Sequence, residues 1–152
     1  MRDSVNHVPG ATADDFPANV QAMREFVQGC TVRPLPREEY ETALCWNIAV
    51  PARVRGALIQ RVIDSDDVLS GMDKPVVVTQ GASDTVILPA MGEHILKTCR
   101  SASASWYPDT GHAPFLEDAA RFNSELAKFV RDVRGGRWSR GQEHYSPRTS
   151  SG

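Results

Sequence analysis

Apolar and polar positions along this chain read as helices only over residues 17–63, whereas after residue 74 strand-like runs alternate with helical stretches. Between residues 18 and 28, Val20, Met23, Phe26 and Val27 recur at helical spacing, and Gly29 follows where a helix end favours a residue free of Cβ strain. That predicts a first helix. Beyond the Pro34-Leu35-Pro36 turn, Glu38 and Glu39 fall in a first helical turn, while Tyr40, Ala43, Leu44, Asn47 and Ile48 share one face. A third helix is expected to open at Pro51, with Val54, Leu58, Ile59 and Val62 as its stripe. The acidic run Asp64-Ser65-Asp66-Asp67 and a short helical turn then lead to Lys74, and the pattern changes near Gly71.

From Pro75 to Gln80 the pattern is a continuous, largely β-branched run, as in a strand of a parallel sheet covered on both faces. Gly81-Ala82-Ser83-Asp84 forms the loop at its end. Pro89 opens an amphipathic helix through Met91, Ile95 and Thr98, and Ser103 to Tyr107 reads as a second strand, which completes a βαβ unit. Leu116, Ala119, Phe122, Leu126, Phe129 and Val133 mark one face of a long helix over residues 117–134, closed by Gly135-Gly136. Residues 1–16 are expected to form an irregular leader and residues 135–152 a disordered tail.

Composition narrows the function classes without selecting one. The chain of 152 residues carries 17 basic and 19 acidic residues, a formal net charge of −2, so no nucleic-acid footprint dominates it. A chain of this size buries roughly 68–70% of its unfolded surface, so a core forms without a metal or disulfide staple. Cys30, Cys45 and Cys99 are widely spaced, which argues against a disulfide framework or zinc site and for idle or buried thiols. With no apolar leader segment and Val76-Val77-Val78 as the longest aliphatic run, the expected location is cytoplasmic and no membrane partner is implied.

Chemistry concentrates at the ends of the two strands. Ligands bind at the C-terminal edge of parallel sheets, where Asp84 follows the first strand and His112 follows the second. Adjacent parallel strands put these loops side by side, so the Asp84 carboxylate can accept a hydrogen bond from the His112 ring and fix its tautomer. That is the orienter and base of a nucleophile–base–acid triad. Other polar residues carry structural readings: His94 as a helix-surface or packing residue, Glu117 and Asp118 as helix-dipole partners at the start of the last helix. Tyr40, Trp46 and Met23 are expected in the core rather than around a substrate, and Trp106 and Tyr107 on the last strand are likewise expected to be packing residues. A nucleotide cradle is disfavoured, since Gly81-Ala82-Ser83-Asp84 offers a single glycine.

These residues lie in two recognisable stretches, KPVVVTQGASDTVILP and SWYPDTGHAPFLEDAARFNSELAKFV. Through the patterns G-x-S/A-D and G-H-x-P-x-x-E-x-P/A-x-x-F, the chain resembles the C-terminal half of an α/β-hydrolase. The resemblance is strong over residues 72–134 and looser over residues 17–70, which look like the helical cap that many family members insert. It implies an α/β fold that is partial: a cap-like segment over residues 17–70, then the last two parallel strands and helices over residues 71–134. It further implies Asp84 as triad acid and His112 as general base, hydrolysis of a small apolar ester-like substrate, and neither cofactor nor metal.

The departure from the family lies in the nucleophile. The G-x-S-x-G elbow that should precede the acid and histidine is absent; Ser83 follows Gly81 but has Thr85 where the second glycine belongs, and Asp73 also lacks that glycine. The expectation is a chain that holds Asp84 and His112 alone and is hydrolytically inert unless an N-terminal half completes it. The alternative is a truncated or split product that acts through self-association or another chain at the open sheet edge.

Overall fold

The computed structural model describes residues 10–139; the greater part of the expected leader and tail lies outside them. Four helices come first: α1 (Phe16–Gly29), α2 (Arg37–Ala49), α3 (Ala52–Gln60) and the short α4 (Asp66–Ser70). Then follow β1 (Val76–Gly81), α5 (Pro89–Thr98), β2 (Ala102–Tyr107), the single turn α6 (Pro114–Glu117) and α7 (Ala119–Arg134). The two strands are parallel and in register from Val76 opposite Ala102 to Gly81 opposite Tyr107, with α5 packed on both. This is the partial α/β-hydrolase arrangement expected from the sequence, a helical cap segment leading into two parallel strands.

In the helical segment, Asp15 caps α1 by accepting the Ala18 N–H, and α1 packs against α2. Met23, Ala22 and Ala11 are buried there, with Phe26, Leu44 and Ile48 against them. The predicted face of α2 is its half-buried face, residue for residue, from Tyr40 to Ile48. Part of the expected irregular leader is docked, because the Ala11 carbonyl accepts hydrogen bonds from Asn19 and from Arg55 of α3. Arg55 also donates to the Asn47 carbonyl and the Asn19 side chain, so one guanidinium joins three helices and the leader.

Three expectations fail on burial or boundaries. Of the α3 stripe only Val54 is half-buried; Leu58, Ile59 and Val62 are exposed, and the helix ends at Gln60, before Val62. Periodicity records which face can be buried, whereas burial needs an opposing element. The same holds on α7, where Leu126 and Val133 are exposed although Phe122 and Phe129 are half-buried. The long last helix also breaks at Asp118, whose backbone is non-helical (φ −138°, ψ 56°) and whose side chain caps α7 through Arg121 N–H. Beyond α7, Trp138 stacks edge-on against Phe129 with ring centroids 4.9 Å apart.

β2 is buried along its whole length, whereas β1 is half-buried until Gln80 and Gly81. The cover expected on both faces of β1 is thus only partial, and among the described residues no strand lies beside its outer edge. No described helix is long and apolar enough to cross a membrane.

Candidate active site

The ends of β1 and β2 meet at a pair of glycines. A side chain at Gly81 would begin 1.9 Å from the Gly111 carbonyl oxygen, and one at Gly111 would begin 2.9 Å from the Cys30 carbonyl. Only glycine permits such an approach. Ala82 N–H donates to the Tyr107 carbonyl and Ser83 N–H to the Thr110 carbonyl, which ties the Asp84 loop to the His112 loop. The main chain of His112 in turn donates to the Cys30 carbonyl at 2.7 Å, at the C-terminal end of α1.

The two candidate residues are thereby brought together. Asp84 is 5% exposed. Its Oδ1 accepts the N–H groups of Val86 and Ile87 at 2.8 and 2.9 Å. Oδ2 stands 2.9 Å from His112 Nδ1 and accepts Gln80 Nε2 at 3.3 Å. A carboxylate offers only acceptors, so Nδ1 carries the proton of the neutral ring and Nε2 is left with its lone pair. Nε2 bonds no described residue, and the ring borders a cleft of about 540 Å³ between the helical segment and the strand loops.

That cleft is mostly apolar. Val27, Leu35, Trp46, Phe115 and Leu116 line it beside His112, with Glu38 and Glu39 on the helical side. Trp46 corrects the sequence reading: it is 72% exposed and faces the cleft rather than the core. Its position at the same period as core residues hid this, since α2 presents its half-buried face to α1 and Trp46 sits beside that face. Met23 is core as expected, and Tyr40 is half-buried.

Other candidates fall outside the site. His94 lies in α5, half-buried, with Nε2 2.7 Å from Asp66 of α4. Cys30 borders the cleft, but burial first, and then the charge of Asp84, push its thiol up to about 11, so it stays protonated at neutral pH and cannot serve as a thiolate. Ser83 is exposed in the loop beside Asp84. No group of three or more His, Cys, Asp or Glu among the described residues is placed to hold a metal ion.

Glu117 is the residue whose place the sequence reading missed. It does not begin the long helix; its Oε1 accepts Gly111 N–H at 2.6 Å and its Oε2 accepts Val32 N–H at 2.7 Å and Arg33 N–H at 3.3 Å. Its fixed spacing from His112 within G-H-x-P-x-x-E was the available signal.

No protein-family model and no curated protein sequence matches this chain at a significant level. Solved structures do. The esterase RhEst1 from Rhodococcus sp. ECU1013 is 30% identical, with a TM-score of 0.78 over 88% of this chain and 48% of its own. A protein from Burkholderia cenocepacia, provisionally described as an aryl esterase, is 24% identical with a TM-score of 0.81 over 86% of this chain and 50% of its own. The esterase EaEST from Exiguobacterium antarcticum is 16% identical with a TM-score of 0.73, over 86% and 48%. The chain spans about half the length of each.

Proposed function

We propose that this chain, which has an α/β-hydrolase-like fold with a cap region, supplies the acid and base of a hydrolase site that acts on small apolar ester-like substrates. The observation that carries this reading is the buried Asp84 carboxylate 2.9 Å from His112 Nδ1, with Nε2 left open at the edge of an apolar cleft. In it, His112 takes a proton from a nucleophile through Nε2, and Asp84 holds the ring and stabilises the imidazolium. The nucleophile lies outside these residues, because the sequence holds no G-x-S-x-G elbow. The apolar walls of the cleft, Trp46 and Phe115 among them, favour a small hydrophobic acyl or aryl group over a charged one.

The test joins the N-terminal portion of the Rhodococcus esterase, through its own nucleophile, to this chain in one polypeptide. Hydrolysis of p-nitrophenyl butyrate is expected from the fusion and not from this chain alone. His112→Ala and Asp84→Ala should each lower kcat by at least about 10³-fold. A folded fusion whose turnover is indifferent to His112→Ala overturns the reading, as does His112-dependent turnover by this chain by itself.

A second reading, association without catalysis, is favoured by one observation. The β1 edge has no strand beside it among the described residues, and Leu58, Val62, Ile63 and Val68 are exposed near the start of the strand unit.

A further inference from the structure

Glu117 joins two parts of the chain that are distant in sequence. Val32 lies 85 residues before it, in the segment that leaves α1 for the rest of the helical cap, while Gly111 immediately precedes His112. One carboxylate bonds both: Oε1 takes the Gly111 N–H at 2.6 Å, and Oε2 takes the N–H groups of Val32 and Arg33. Beside this clip, the His112 N–H reaches the Cys30 carbonyl at 2.7 Å. The His112 loop is therefore held from the cap side by Glu117 and Cys30, and from the strand side by Ser83 N–H on the Thr110 carbonyl.

The ring of His112 has one side-chain anchor, Asp84, and reaches it only while its own backbone stays at this height. Between the two glycines there is no slack for the loop to shift toward β1, and once the Glu117 carboxylate is gone Gly111 N–H loses its partner and the Cys30 carbonyl is the one hydrogen bond described here that holds the loop from the cap side. We infer that Glu117 is a positioning residue for His112: it locks the histidine loop to the cap lead-in and so couples the His112–Asp84 hydrogen bond to the seat of the cap. This rests on the acid and base roles proposed above for Asp84 and His112. Its consequence is that displacement of residues 31–33 is felt at the imidazole.

The experiment is heteronuclear NMR of the full chain, which needs no turnover. The readouts are the His112 Nδ1–H resonance, its exchange with water, and the dispersed amides of β1 and β2 as a check of fold. Asp84→Ala serves as reference, because it removes the acceptor directly. Glu117→Ala is expected to leave the strand amides in place while Nδ1–H exchange quickens by roughly tenfold or more, in keeping with loss of hydrogen bonds to a charged acceptor. Glu117→Gln keeps one carbonyl acceptor and should fall between Glu117→Ala and the unaltered chain. Unchanged exchange in a folded Glu117→Ala chain overturns the inference. If that variant does not fold, Glu117→Gln decides, and loss of fold in both makes Glu117 a general structural residue and also overturns it. Loss of the Nδ1–H signal in Asp84→Ala alone leaves the paired acid and base standing without the clip, whereas a signal indifferent to Asp84→Ala removes the pair itself.

Discussion

At the scale of single residues, the site depends on places where no side chain fits. Gly81→Ala would put a methyl group 1.9 Å from the Gly111 oxygen, backbone against backbone, with no flexible neighbour to yield. The expected result is a loss of about 3 kcal/mol of unfolding free energy, the upper end of the usual range for overpacking, read from urea denaturation. An unchanged midpoint would mean that the two loops part more easily than this contact implies. The pairing of Asp84 with His112 was legible before any coordinates, since strand order and parallel pairing bring their loops side by side. Glu117 was not, because its partners at residues 32 and 33 lie far away in sequence and no periodicity encodes a carboxylate that reaches for main-chain N–H groups. Its acidic character had an adequate local explanation in the helix dipole, and that explanation concealed the distant one.

At the scale of elements, α7 is joined to β2 by a polar network rather than by its apolar stripe. Tyr107 and Ser105 donate to Glu125, and Arg121 bonds the other oxygen of that carboxylate while its guanidinium lies 4.0 Å over the Tyr107 ring. Burial, and then the hydrogen bond to Glu125, push the Tyr107 hydroxyl up to about 12. Burial opposes the Glu125 charge, but hydrogen bonds from Ser105, Arg121 and Tyr107 outweigh it and hold the carboxyl below its ordinary value. The signs follow from linkage. The Tyr107 contribution is complete below the unfolded tyrosine value of about 10 and is lost as pH rises toward 12; the Glu125 contribution is complete above about 4.3 and is lost as pH falls. A spectrophotometric titration near 295 nm should show one late tyrosine phase that disappears in Tyr107→Phe, and Glu125→Gln should reduce the acid-side loss of stability. The first strand was legible as a continuous β-branched run and the second as the close of a βαβ unit, whereas the break at Asp118 was not, because Asp suits a cap and a helix surface in sequence.

At the scale of the whole molecule, burial is uneven. β2 is buried along its length and β1 only in part, neither has a second strand beside it among the described residues, and Leu58, Ile59, Val62 and Val68 are exposed. Sedimentation velocity at tens of micromolar should therefore show species larger than a monomer, shifted toward monomer by Leu58→Lys with Val62→Lys. A clean monomer for the unaltered chain would count against association through these surfaces. The apolar stripes were legible as stripes, yet whether a stripe is covered depends on what opposes it, and that information lies outside the stripe.

The Glu117 clip also bears on how the molecule can be divided. Composition changes near residue 71, which invites a view of the helices as a detachable module set upon an independent strand unit. Hydrogen bonds that span 84 and 85 residues contradict that view at the one place where it matters, because the floor beneath the His112 loop is built from the end of the first helix. The histidine loop therefore holds its height only where the end of the first described helix is seated beneath it, and a cut near residue 71 would part the imidazole from residues that fix it from more than eighty positions away.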